Sequence, residues 1–347
     1  VADTPQAYSP YTPRFTCQEI SMLKAQYQTR GPVPQDVIEA VDLQLPALTA
    51  GQVRIKVLAA PINPSDVLTL TGQYGMLPPL PAIGGNEGVG KVEELGPDVT
   101  ALKVGQTVLL PVGCGTWVTH LNTDASKLIP LPDADPQQLA MLTVNPPTAS
   151  LLLSQFVDLQ PGEWVIQNAA NSGVGSYLMQ LAKLRGFKTV NVVRRDSAIA
   201  ATQQDGGDVV LVDGPDLAKR VREATGSATI RLAIDAVGGA ATDHLAACLG
   251  EGGTVVNYGM MSGEPCQVSP SAIVFRDVTL KGFWLAKWFR AASQTEQGKV
   301  FGELVQLIAS GKLKTRIAAT YDVSQIKEAV AAAAGGEREG KILIVPN

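Results

Sequence analysis

The clearest chemical signature lies between residues 164 and 185. A short apolar run, Trp164–Asn168, leads into NAANSGVGSYLMQLAK, and Gly173 and Gly175 fall where a strand would turn into a helix. Glycines at such a turn let the backbone approach a pyrophosphate, which the N–H groups and positive dipole of the helix N-terminus then hold. The alternative is that they only relieve a tight strand–helix turn. The next strand speaks to which nucleotide. NAD sites place Asp or Glu about 20 residues on, to hold the ribose hydroxyls. Here Lys188–Val193 ends in Arg194 and Arg195, with Asp196 only after them. A carboxylate repels a 2′-phosphate, whereas a guanidinium binds it through paired hydrogen bonds. The pattern predicts NADPH, with Asp196 leaving the preference short of absolute. Otherwise both arginines are solvated surface charge.

Metal chemistry has few donors. The cysteines, Cys17, Cys114, Cys248 and Cys266, are scattered singly, and neither His120 nor His244 has a Cys or His neighbour at ligand spacing. His120 reads as a hydrogen-bonded barrel histidine in preference to a ligand. No bound metal is expected.

These groups need elements to position them, and the chain changes style near residue 150. Before Pro147 it is rich in turns and short alternating runs, Gln52–Ala59, Gly88–Leu95, Thr107–Pro111 and Trp117–Leu121. Alternation of this kind predicts half-buried strands and a compact, partly open β-barrel. From Glu163 short apolar runs take over: Glu163–Asn168, Lys188–Val193, Val209–Val212, Arg231–Asp235, Thr254–Tyr258 and Thr279–Phe283. Helix-compatible stretches separate several of them, at Gly173–Arg185, Pro215–Thr225 and Ala240–Leu249, which predicts βαβ units and a parallel sheet. Two more helices, near Lys299–Ser310 and Ser324–Ala334, and a last strand, Lys341–Val345, are expected after Leu285.

Composition narrows the partners. A chain of 347 residues is too long for one ordinary core, and 45% hydrophobic against 17% charged residues fits a globular protein. No apolar run approaches the roughly 18 residues that span a membrane. A net charge of −4 argues against nucleic acid as a partner. Scattered cysteines fit a reducing cytoplasm. The Pro-rich, polar start, VADTPQAYSPYTPRFTCQEI, reads as a flexible surface tail or a trimmed organelle transit peptide.

A barrel followed by a nucleotide fold resembles the medium-chain dehydrogenase/reductase superfamily, over nearly the whole chain from about Arg14. Many members bind zinc through Cys, His and Cys or an acid. Here AAPINPSD carries Asn63 where the first ligand would fall, GGNEGVG carries Asn86 where the His would, and the four-Cys lobe is absent. The finer resemblance is to the zinc-independent 2-enoyl thioester reductases of mitochondrial type. It rests on INPSD (Ile62–Asp66), TGQYG (Thr71–Gly75), GGNEGVG (Gly84–Gly90), GTW (Gly115–Trp117) and NPPTAS (Asn145–Ser150). NSGVG (Asn171–Gly175), NVVR (Asn191–Arg194), YGMMS (Tyr258–Ser262) and KGFWL (Lys281–Leu285) continue the series in the family's order.

The resemblance implies an α/β fold: a GroES-like partly open β-barrel catalytic domain, residues 1–145 completed by 286–347, plus a doubly wound Rossmann domain, 146–285. It implies NADPH-dependent reduction of the C2=C3 bond of a trans-2-enoyl thioester, carried by coenzyme A or acyl carrier protein, in fatty-acid synthesis, by a homodimer joined at Rossmann sheet edges. A eukaryotic source would make the compartment mitochondrial. Tyr74 matches the family's proton donor, and a phenol stays protonated at neutral pH. Asn63 could orient that tyrosine or the substrate, or equally make an Asn-Pro turn, and Trp284 is expected to shape the acyl pocket or else to be a plain core tryptophan. Cofactor contacts are implied at Asn145, Asn171, Ser172, Gly173, Val174, Arg194, Arg195, Asp196, Tyr258, Gly259, Met260, Met261, Phe283, Trp284, Leu285 and Lys341. Between Lys281 and Lys314, six basic residues face two acids. That local reversal suggests a surface for the phosphates of coenzyme A or an acidic carrier, or simply solvated helix faces. An NADPH:quinone reductase and a non-catalytic NADPH-binding protein are the rival readings.

Overall fold

The computed structural model describes residues 22–336 and 339–347. The reading of the N-terminal tail lies outside them. The barrel is built on the long strand Gln52–Ile62, whose inward residues Val53, Ile55, Val57 and Ala59 are fully buried in alternation. Antiparallel neighbours Val89–Leu95 and His120–Asp124 pair with it. Thr107–Leu109 and then Ile129–Pro130 continue the sheet beyond Val89–Leu95. On its far side the last strand, Lys341–Ile344, pairs antiparallel through Ile342 and Ile62, with Ile317–Tyr321 parallel beside that. This pairing joins segments about 280 residues apart, and the apolar side chains of Ile62, Ile342 and Ile344 share one core cluster. A small sheet of Leu23–Tyr27, Ile38–Asp42 and Ala82–Ile83 packs outside.

The expected strand at Trp117–Leu121 begins only at His120. Trp117 is instead fully buried, its indole N–H donating to the Pro61 carbonyl at 3.3 Å. A Cβ on Gly84 would stand 2.2 Å from the indole, and the backbone of Trp117 bonds to Gly84 and Ala25 instead of to Gln52–Ile62. The expected helix near Lys299 starts earlier, at Gln294, because Ser293 and Glu296 form a reciprocal cap around its first turn.

The second sheet is wholly parallel. Its spatial order is Val209–Val212, Lys188–Val193, Trp164–Gln167, Ile230–Asp235, Thr254–Asn257 and Thr279–Gly282. Numbered along the chain this is 3-2-1-4-5-6, a doubly wound arrangement whose order reverses between Trp164–Gln167 and Ile230–Asp235. Helices Gly173–Leu184, Leu217–Thr225 and Ala240–Cys248 cover its faces. Ligands in such sheets bind outside the carboxyl ends of the strands at that reversal. One core cluster joins the two halves: Ala59 and Val89 of the barrel pack with Leu152, Val165, Leu178 and Val256.

Candidate active site

Asn168 and Asp235 end the two strands at the reversal. The Asp235 carboxylate accepts from the Asn168 amide at 2.6 Å, the Thr242 hydroxyl at 2.7 Å and the Asn257 amide at 2.9 Å. It also accepts the N–H groups of Val237 and Gly238. Those partners outweigh the cost of its burial and hold its pKa below the usual carboxylate value. Asp235 thus ties three strand ends into one rigid rim. Nothing near it in sequence marks it for that task.

The turn after Trp164–Gln167 is strained and tight. Ala169 takes a φ of 47°, in the left-handed region that a side chain avoids. The Ser172 hydroxyl caps the helix Gly173–Leu184 by accepting from Gly175 N–H at 3.2 Å. A Cβ on Gly175 would lie 2.4 Å from the Ala170 carbonyl oxygen, so only glycine lets the helix start this close to the turn. That geometry fits an anion at the helix N-terminus, as a dinucleotide pyrophosphate requires. A cleft of about 340 Å³ opens there, lined in part by Asn171, Gly173, Ser176, Arg195 and Thr315.

Some of the expected cofactor contacts meet at this turn: Asn171, Gly173 and Arg195 line the cleft, and Asn145 and Lys341 lie against Gly173. The Tyr258 hydroxyl is buried near Ser172, and a Cβ on Gly259 would strike the Ala236 carbonyl at 2.6 Å, which keeps that loop close. Met260 and Met261 are exposed. Arg194 and Arg195 both donate to the Gly336 carbonyl, at 3.2 and 3.3 Å, and so reach from the Rossmann strand tip to the C-terminal segment. Asp196 opens the short turn Asp196–Ala198 behind them. Phe283 packs its ring edge-on against Phe156 at 5.9 Å, and its N–H donates to the Asn257 carbonyl at 2.8 Å. Leu285 begins the helix Leu285–Ala291.

Tyr74 follows the helix Pro64–Thr71, which Gly72 ends with a φ of 80°. The Trp284 indole N–H donates to the Tyr74 hydroxyl oxygen at 3.0 Å, with the rings edge-on at 6.1 Å. The Arg290 guanidinium sits over the Trp284 ring, 5.2 Å from its centroid. Met76, Leu77 and Leu80, next along the Tyr74 loop, are exposed apolar side chains.

Asn63 goes elsewhere. It is buried at the N-terminus of Pro64–Thr71, its amide donating to Glu87 Oε1 at 2.7 Å and accepting from Asn145 Nδ2 at 2.9 Å and from Lys341 Nζ. Its side chain thus orients Asn145 and Lys341 and not Tyr74. Asn86 donates to Asp66 Oδ1 at 2.6 Å. The residues that sequence reasoning passed over here are Glu87 and Asp66, both buried. An acid inside the glycine-rich, otherwise apolar GGNEGVG string was the available signal for Glu87. His120 lies in the barrel 3.5 Å from Glu93, and His244 pairs with Asp213 at 2.8 Å. Among the described residues, no three His, Cys, Asp or Glu converge as metal ligands would. The six basic residues of Lys281–Lys314 are spread over the strand Thr279–Gly282, helices Leu285–Ala291 and Gln294–Ala309, and the turn after them.

Comparison with known proteins agrees with this architecture. Residues 49–133 match the alcohol dehydrogenase GroES-like domain, and residues 173–304 match the zinc-binding dehydrogenase family. The mitochondrial enoyl-[acyl-carrier-protein] reductase of Rattus norvegicus is 41% identical over 287 residues, covering 81% of this chain and 77% of that protein. A solved complex of Etr1p with NADP and crotonyl-CoA superposes with a TM-score of 0.84 at 27% identity, covering 94% of this chain and all of the other. A Bacillus thuringiensis structure described as an NADPH:quinone reductase gives the same TM-score at 29% identity over 95% of this chain. On that sequence identity and coverage, the chain belongs to the medium-chain dehydrogenase/reductase superfamily, within its family of mitochondrial-type enoyl-[acyl-carrier-protein] reductases.

Proposed function

We propose that this protein is an NADPH-dependent trans-2-enoyl thioester reductase with Tyr74 as the proton donor. The observation that carries the catalytic assignment is the Trp284–Tyr74 hydrogen bond, which ties the tyrosine loop to the segment that follows the last strand of the parallel sheet. When bound, NADPH supplies the hydride that enters at the substrate β-carbon. The chain must then do three things: hold the nucleotide, stabilise the enolate on the thioester, and deliver a proton to the α-carbon.

For the first, Ser172 and the helix start at Gly173 receive the pyrophosphate, and Arg194 and Arg195 exchange the neutral Gly336 carbonyl for a 2′-phosphate. For the second and third, the phenol acts as a hydrogen-bond donor to developing negative charge and as a general acid. Because the indole N–H occupies the phenol oxygen as a donor, the phenol's own hydrogen is left to point elsewhere, towards a substrate. The indole bond also strengthens as the oxygen becomes a phenolate, which favours proton release in the transition state. Trp284 is thereby a positioning and activating residue, with Arg290 seated on its outer face.

The domain limits read from the sequence, 1–145 with 286–347 and 146–285, are part of this proposal. They are supported by the pairing of Lys341–Ile344 with the barrel strand Gln52–Ile62. A homodimer is proposed through the strand Thr279–Gly282, which ends the parallel sheet with all four residues exposed, beside Phe275 at 81% exposure. A carrier-protein thioester is proposed as a substrate alongside the coenzyme A thioester, and a mitochondrial setting where the source is eukaryotic. Among the described residues no helix is long and apolar enough to cross a membrane.

The test is NADPH oxidation by the purified protein with crotonyl-CoA and, separately, with a benzoquinone. Enoyl reduction should dominate, and Tyr74→Phe should lower kcat by about 10²–10⁴-fold with NADPH affinity retained. Quinone turnover exceeding enoyl turnover, or Tyr74→Phe with unchanged kcat, overturns the reading.

A further inference from the structure

Beneath the nucleotide turn, Asp66, Glu87, Asn63, Asn145 and Lys341 are all at most 5% exposed. Their hydrogen bonds have a forced direction. An ammonium carries donors only, so the Asn63 atom that meets Lys341 Nζ is the amide oxygen. The other end of that amide is then the NH₂, and it donates to Glu87 Oε1 at 2.7 Å. Asn145 Nδ2 donates to the same Asn63 oxygen at 2.9 Å. The second Glu87 oxygen accepts the N–H groups of Thr143 at 3.0 Å and Val144 at 2.9 Å, directly before the helix Asn145–Leu152. Every donor in the chain points towards Glu87. A group that accepts on both oxygens closes it, which is an ionised carboxylate. At the other end, a Cβ on Gly173 would stand 3.2 Å from Asn145 Oδ1 and 3.3 Å from Lys341 Cδ. Those two side chains are the floor under the first residue of the nucleotide helix.

We propose that Glu87 is a positioning residue for cofactor binding: its ionised carboxylate sets the direction of the amide chain through Asn63 and so holds Asn145 and Lys341 against Gly173. The proposal rests on the NADPH reading above. It assigns a role to a residue that touches neither substrate nor nucleotide.

The charged groups facing Glu87 are Lys341 from the last strand and Asp66 from the helix Pro64–Thr71, with the neutral Tyr177 hydroxyl of the nucleotide helix beside them. Burial pushes the Glu87 carboxyl up to about 7, against the pull of Lys341 and the Asn63 amide, and pushes Asp66 up to about 6. Below its pKa Glu87 gains a proton, and one of its oxygens becomes a donor. Asn63 cannot turn over to accept it, because its NH₂ would then face the Lys341 ammonium. The chain therefore holds its direction above about pH 7 and loses it as pH falls through that value.

The experiment is a fluorescence titration of NADPH and of NADH, without substrate, on the wild-type protein and on Glu87→Gln, from about pH 6 to pH 8.5. NADH lacks the 2′-phosphate, whose own titration near pH 6 would otherwise overlap. At pH 8 Glu87→Gln should raise the NADPH Kd about tenfold, the loss expected for one charge-assisted hydrogen bond. Wild-type Kd for both nucleotides should rise as pH falls through about 7, and the variant's Kd for NADH, free of the phosphate's own titration, should stay flat. In steady state the loss should fall on the KM for NADPH, with kcat at saturating NADPH nearly unchanged. An unaltered Kd in a variant with an unaltered melting temperature overturns the proposal. So does a wild-type Kd that is flat with pH for both nucleotides, a measurement that decides the matter by itself if Glu87→Gln does not fold. Wild-type protein that binds no NADPH refutes the cofactor reading instead, and protein that binds NADPH but reduces no enoyl thioester refutes only the activity.

Discussion

Trp284→Phe isolates one hydrogen bond in the proposed proton transfer. Phenylalanine keeps an aromatic ring between Tyr74 and Arg290 and removes the indole N–H that donates at 3.0 Å. A hydrogen bond to a neutral oxygen contributes about 0.5–1.5 kcal/mol, and one to a charged oxygen about 1.5–3 kcal/mol. The difference, about 1–1.5 kcal/mol, is the part that appears only as the phenol gives up its proton. At about 1.36 kcal/mol per tenfold in rate, kcat should fall about five- to thirteenfold. NADPH affinity should be preserved, since the bond is made away from the nucleotide turn. The solvent deuterium isotope effect on kcat should rise, because proton transfer becomes slower relative to the other steps. The decisive arm is a double-mutant cycle with Tyr74→Phe under steady-state turnover of crotonyl-CoA, with a thermal melt for each variant. If Trp284 acts through the phenol, adding Trp284→Phe to Tyr74→Phe costs almost nothing further. Two losses that simply add would show that Trp284 shapes the pocket independently and would refute the activation argument.

Three further outcomes are expected. Replacing Arg194 and Arg195 together by Ala should weaken NADPH at least about tenfold while leaving NADH nearly unaffected, as charge-assisted phosphate bonds contribute about 1.5–3 kcal/mol each; equal losses for both nucleotides in parallel titrations would remove them from phosphate recognition. The protein should hold no stoichiometric zinc by elemental analysis and keep its activity in EDTA, since Asn63 is committed to Glu87 and Asn86 to Asp66; zinc near one equivalent per chain, with activity lost on its removal, would contradict this. Phe275→Glu should shift the mass measured by light scattering from dimer to monomer without lowering kcat, because it places a charge on the exposed apolar face beside the edge strand; an unshifted dimer would move the interface elsewhere.

Residues 164–195 carry in their own order a strand, a glycine turn, a capped helix and a second strand ending in arginines, and the structure keeps all of it. Such a unit is legible because its demands are local: a period of apolar residues, a φ or a close approach that only glycine meets, a hydroxyl one residue before the helix. Tyr74 was singled out by its TGQYG string, but its partner Trp284 lies 210 residues away. Asn63 stands out in INPSD as a residue that orients the tyrosine or the substrate or makes an Asn-Pro turn; the fold places it at the start of the helix Pro64–Thr71 and gives its amide to Glu87, Asn145 and a lysine 278 residues on. No local pattern records such pairings. They exist because Lys341–Ile344 returns to pair with Gln52–Ile62 and because the start of the helix Asn145–Leu152 reaches Asn63 and Glu87. A buried acid such as Glu87 or Asp235 looks, in the sequence, like any surface acid. Its burial, its set of donors and the direction it imposes on them are properties of chain segments brought together by sheet topology, and only the folded chain contains them.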